Sequence, residues 1–116
     1  GGVDVAALDD LVDGEGTAFE LDGRRVSVVR LGDRVYVVGD TCSHEKVSLS
    51  GGIVDEDACT IECPKHGSEF DLRTGEGLTL PAIRPIPTYA ARVLDGRVLI
   101  DVGAENDHAS APEVSP

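Results

Sequence analysis

Two short pairs of metal-binding side chains punctuate this chain: Cys42-Ser43-His44 and, after an interval of eighteen residues, Cys63-Pro64-Lys65-His66. Two thiolates and two imidazoles carried on a pair of loops make a soft, two-lobed metal site. Thiolate ligands select zinc or iron–sulfur chemistry, and a neutral imidazole can complete either. The donor list alone therefore admits both a Cys2His2 zinc site and an iron–sulfur cluster. Small or flexible residues follow each pair, at 48–52 and at Gly67-Ser68, and let the backbone pass close to a bulky centre.

The residues around the two pairs carry a family resemblance. Cys42-Ser43-His44, together with Cys63-Pro64-Lys65-His66-Gly67-Ser68-Glu69-Phe70-Asp71, resembles the two cluster-binding boxes of the Rieske family. Leu72-Arg73-Thr74-Gly75-Glu76 and Leu80-Pro81-Ala82 resemble that family's continuation after the second box, and a weaker likeness extends from about Val3 to Val102. The resemblance implies one [2Fe–2S] cluster, with Cys42 and Cys63 on one iron and His44 and His66 on the other. Neutral imidazoles in place of two thiolates make the cluster less negative and raise its potential. The range is roughly −150 to +300 mV, against about −400 mV for all-cysteine plant-type ferredoxins.

The resemblance also implies a surrounding set formed by Pro64, Gly67, Ser68 and Phe70. Ser68 matches a serine that donates a hydrogen bond to a cluster sulfide in the respiratory branch. The alternative is a hydroxyl that bonds its own turn. Phe70 stands where that branch carries a second donor, a tyrosine. Val47 and Lys65 occupy the positions of the respiratory cross-cluster disulfide, so that bridge cannot form. This departure places the chain with the ferredoxin-like, oxygenase-associated branch. Cys59 lies in a run that reads as a strand and is expected to be a small buried apolar residue. Glu45 and Lys65 are expected to be solvated rim charges, and His108 a solvated residue of the tail.

Composition bounds the rest. A chain of 116 residues is one domain, large enough for a modest core without disulfides. Three cysteines, two of them ligand candidates, fit a reducing compartment, and the cytoplasm is the expected location. No apolar run is long enough to span a bilayer, and no charged-then-apolar leader opens the chain. It begins on Gly, which is expected of a processed, trimmed or tagged product. The formal charge of −12, from 22 acidic and 10 basic residues, excludes a nucleic-acid partner, whose phosphates need a basic footprint. It suits transient docking on basic protein surfaces, as well as simple solubility.

The elements that must position the ligands read as β-structure. Val3 to Val5 is a candidate strand, and Ala6 to Leu11 a turn or single helical turn. Hairpins are expected about Asp22-Gly23, Gly32-Asp33 and Asp95-Gly96, the first as a type I′ turn. Val and Ile dominate the flanking runs, and no segment shows a helical stripe. Between the second and third hairpins, Ile53-Val54 pairs with Ala58 to Ile61, and Phe70 to Leu72 with Leu78 to Leu80. Pro81, Pro85 and Pro87 then lead back as an extended connector. The expected fold is all-β, a Rieske-like antiparallel sandwich or barrel base with a small inserted cluster-binding subdomain. The domain spans 1–102, its subdomain about 41–80, and a disordered tail 103–116.

The function expected is a one-electron carrier and no catalyst: no site histidine remains for a mononuclear iron, and the chain is too short for a catalytic domain. By resemblance, electrons come from a flavin-dependent ferredoxin reductase and pass to a terminal oxygenase, with the protein acting as a monomer. Three other readings are a ferredoxin for another pathway such as iron–sulfur cluster assembly, a zinc-binding interaction module, and a nitrite-reductase small subunit. The last commonly lacks the four ligands found here.

Overall fold

The computed structural model describes residues 2–42, 47–65, 67–79 and 84–106, the last five as backbone alone. Six strands form one antiparallel sheet: β1 (Val3–Ala7), β2 (Gly16–Leu21), β3 (Arg24–Leu31), β4 (Arg34–Gly39), β8 (Thr88–Leu94) and β9 (Arg97–Asn106). Their spatial order is β1-β9-β8-β4-β3-β2, and the sheet curls into a half-barrel. Between β4 and β8 the chain builds a second, three-stranded sheet from β5 (Val54–Asp55), β6 (Thr60–Glu62) and β7 (Glu69–Asp71). The expected all-β base with an inserted subdomain is the architecture found.

Turn chemistry explains the hairpins. Asp22 and Gly23 have φ of 52° and 78°, and Asp95 and Gly96 of 52° and 75°, the paired positive values that a type I′ turn requires. At Gly32-Asp33 only the glycine is positive, at 68°, the pattern of a II′ turn with glycine first. A single 3-10 turn, Leu8–Asp10, follows β1. Arg30 fixes it to the base, donating from Nη1 to the carbonyls of Leu8 and Leu11 at 3.2 and 3.0 Å.

The central strand β3 is buried on both faces, so Val26, Val28 and Val29 are all fully buried although successive side chains point to opposite sides. Val26 and Val28 join Leu8, Leu11, Val37, Tyr89, Val98 and Ile100 in the core of the base. The alternate residues Val29 and Leu31 point the other way, with Val38, into a second core shared with the inserted subdomain. That second core contains Leu49, Ile61, Phe70, Leu72 and Ile86, together with Cys42, Cys59 and Cys63. One strand thus serves two cores, and the subdomain is anchored by burial rather than by strand pairing.

Four expectations need correction. Cys59 is not in a strand: Asp55 Oδ1 accepts the Ala58 N–H at 3.1 Å, the turn continues through Cys59 at φ 59°, and β6 starts only at Thr60. Ile53 precedes β5 and faces solvent. Opposite β7 there is a single bridge, Phe70 to Gly77, in place of a strand from Leu78; Leu80 lies outside the described residues, as do Pro81 and Ala82. Finally, β9 continues past Val102 to Asn106, with Glu105 and Asn106 opposite Tyr89 and Thr88 across a register shift. Composition drew the tail boundary too early, because ladder hydrogen bonds need no apolar side chains. Residues 107–116, including His108, are outside the described structure.

Candidate metal centre

The first ligand loop leaves β4 through Asp40, a residue that the sequence reading passed over. Its side chain has 0% exposure, and its carboxylate gathers the loop around itself. Ser48 Oγ donates to Oδ2 at 2.6 Å, and Ser50 donates to Oδ1 from Oγ at 2.6 Å and from its N–H at 3.1 Å. Arg25 Nε, from β3, donates to Oδ2 at 2.8 Å, which raises the pKa of that guanidinium. The Asp40 carbonyl accepts the Leu49 N–H at 2.6 Å. The residue two before Cys42 therefore holds both the base and the far side of the loop. A Ser-x-Ser behind an Asp-x-Cys was the available signal, and it has meaning only once the loop is closed.

The two loops close in the same way. The Cys42 N–H donates to the Val47 carbonyl at 2.9 Å, and the Cys63 N–H to the Ser68 carbonyl at 2.7 Å. In the second loop the Gly67 N–H also donates to the Cys63 carbonyl at 2.9 Å. Gly67 sits at φ 72°, where any residue with a Cβ is strained. Each cysteine is thus the root of a loop that returns to it five residues later. Both cysteines are buried in the second core, with Phe70 and Leu49, whereas Pro64, Lys65 and Gly67 are exposed. His44, Glu45 and His66 lie outside the described residues.

Ser68 tests whether the site suits an iron–sulfur group. Its hydroxyl is fully buried and has no hydrogen-bond partner in the described structure. Leaving such a group unsatisfied costs about 1–3 kcal/mol. The turn is held by the Ser68 carbonyl, so the hydroxyl is not what makes it. A buried O–H donor on the loop rooted at Cys63 fits a centre that brings acceptor sulfurs of its own. The residues present fit a [2Fe–2S] group.

Cys59 is buried as expected, and Cys42, Cys59 and Cys63 are all free thiols, so no disulfide crosses the site. Nearby, Arg73 lies 3.4 Å from Asp71, whose hydrogen bond and charge raise the arginine pKa. Among the described residues no helix is long and apolar enough to cross a membrane.

Comparison with known proteins adds the lineage. The family described as the Rieske [2Fe-2S] domain matches residues 2–90. Over 89 residues the chain is 40% identical to the 3-phenylpropionate/cinnamic acid dioxygenase ferredoxin subunit of Escherichia coli (strain K12), covering 76% of this chain and 83% of that one. The ferredoxin of carbazole 1,9a-dioxygenase from Nocardioides aromaticivorans IC177 superposes with a TM-score of 0.82 at 41% identity, covering 85% of this chain and 95% of that one. A complex of reduced oxygenase and oxidized ferredoxin in carbazole 1,9a-dioxygenase gives a TM-score of 0.77 at 34% identity, covering 85% of this chain and 91% of that one.

Proposed function

The chain belongs to the Rieske [2Fe-2S] domain family, and from that premise we propose how its own residues serve electron transfer. It is a one-electron carrier with one [2Fe–2S] cluster, and not itself a catalyst. Cys42 and Cys63 would hold one iron from the buried roots of the two loops, and His44 and His66 would hold the other. When bound, the cluster supplies a one-electron couple at a potential raised by its two imidazole ligands. The apolar wall of Leu49 and Phe70 keeps water from the thiolates, and the exposed tip at Pro64 and Gly67 admits a partner. The carrier works in the cytoplasm, between a flavin-dependent ferredoxin reductase and a terminal oxygenase.

One observation carries the ligand assignment: two loops that share a cysteine N–H bond to the carbonyl five residues on, each rooted on a buried cysteine, meeting in one core. Metal analysis tests it. Freshly expressed protein should contain two irons and two labile sulfides per chain, as one [2Fe–2S] cluster requires, and show a rhombic EPR signal of low average g when reduced. One equivalent of zinc without iron would overturn the assignment.

With the cluster bound, the Ser68 hydroxyl would donate to a cluster sulfur, since it has no acceptor among the described residues. Such a bond favours the reduced, more negative state. Ser68→Ala should therefore lower the midpoint by an amount on the order of tens of millivolts, because only the difference in bond strength between redox states counts. Redox titration at fixed pH, with cluster content checked, reads this directly. An unchanged midpoint means that the hydroxyl touches no sulfur.

A further inference from the structure

The small sheet has an outer face on which Ile53 and Leu78 are exposed and Glu62 and Glu69 half-buried. Ile61 and Phe70 are paired across β6 and β7 and point inward, so their neighbours Glu62 and Glu69, directly opposite one another, point outward together. The same row continues to either side. The Ile53 carbonyl accepts the Glu62 N–H at 2.8 Å, and the Leu78 N–H donates to the Glu69 carbonyl at 2.8 Å. Ile53, Glu62, Glu69 and Leu78 thus lie side by side across the sheet.

Three features of this row point to a partner. Like charges directly opposite on neighbouring strands destabilise a sheet, and neither carboxylate has a cationic partner among the described residues. The flanking apolar side chains are exposed, Ile53 at 69% and Leu78 at 44%. And the row adjoins the site: Glu62 precedes Cys63, Glu69 follows Ser68, and a Cβ on Gly67 would lie 3.8 Å from Glu62 Oε2. A carboxylate therefore leans over the tip of the second ligand loop.

We propose that this row is the docking surface for a redox partner that inserts lysine or arginine side chains between Glu62 and Glu69 and lays apolar side chains on Ile53 and Leu78. Desolvated by such a partner, the two carboxylates exchange mutual repulsion for charge-assisted hydrogen bonds. The apolar pair supplies contact area at the centre of a rim that is otherwise charged. Because the row borders the loop tip, a protein seated on it lies against the ligand loop.

The inference rests on the carrier reading, and the experiment separates the two. Cluster-loaded protein, reduced with dithionite and freed of excess, is mixed in stopped flow with ferric cytochrome c, a lysine-rich acceptor. Each haem takes one electron, with no atom or proton transferred. Glu62→Gln with Glu69→Gln should slow the second-order rate about tenfold at low ionic strength and flatten its salt dependence. Asp9→Asn with Asp10→Asn removes the same charge from the exposed 3-10 turn on the base, and should change the rate much less. Ile53→Ser with Leu78→Ser should slow the reaction at high salt as well, with the midpoint unchanged. Equal losses from the two charge pairs would show that total charge steers, and would overturn the surface. Unchanged rates in both the glutamate and the apolar variants overturn it too. A wild-type protein that passes no electrons overturns the carrier reading itself.

Discussion

Phe70→Ala should cost about 3–5 kcal/mol of stability and leave a protein that loses its cluster on handling. The ring is fully buried, paired with Ile61 across the small sheet, and stands in the one core that contains both Cys42 and Cys63. Val29 and Val38 of the base meet the subdomain in that same core. Truncation leaves a cavity where two layers meet, and the small sheet is too short to re-form around it. Phe70→Leu keeps most of the volume and should cost less than about 1.5 kcal/mol. Urea unfolding followed by far-UV and visible dichroism together reads both the fold and the cluster. An alanine variant that unfolds within about 1 kcal/mol of wild type, with its iron retained, would show that the core collapses around the gap.

Asp40→Ala should be the next most damaging, at about 3 kcal/mol, and its effect should fall first on the loop between Cys42 and Ser50. The carboxylate is buried and accepts three hydrogen bonds from Ser48 and Ser50, and bonds to a charged acceptor are worth about 1.5–3 kcal/mol each before water compensates the freed donors. Arg25 adds little, since its side chain is 60% exposed and the pair is screened. A loss of this size lowers the melting temperature by roughly 10–20 °C. Asp40→Asn keeps an oxygen for Ser50 and should recover most of it. If Asp40 acts only through the loop, the alanine variant should also release iron faster to a chelator, with the base strands still protected from hydrogen exchange. Wild-type melting and iron retention in Asp40→Ala would remove Asp40 from the account of the site.

These two residues differ in how they show themselves in the sequence. Phe70 was visible because it stands inside a local pattern, a few residues after Cys63. Asp40 was not, because its meaning lies in Ser48 and Ser50 returning to it, and in Arg25 reaching across from β3. The same division runs through the molecule. The three hairpins were legible because a type I′ or II′ turn is decided by two residues and their tolerance of positive φ. The candidate ligand residues were legible because cysteine and histidine at two- and three-residue spacing state their chemistry locally.

Misplaced boundaries arose where local propensity was overruled. Ala58 and Cys59 look like strand residues, but the Asp55 side chain captures the Ala58 N–H and holds the turn open. Residues 103–106 look like a tail, but β9 runs on through them, and Thr88 and Tyr89 pair with the backbone of 106 and 105. What the sequence by itself determined was the candidate donor set, the turns and the all-β class, because each is written within a few consecutive residues. What only the tertiary structure decided was which face of each strand meets which core, that the Ser68 hydroxyl has no partner among the described residues, and that Glu62 and Glu69 stand side by side between Ile53 and Leu78. Those facts depend on register and burial. Pairing between distant strands sets both, and a one-residue slip would turn every one of these side chains to the opposite face.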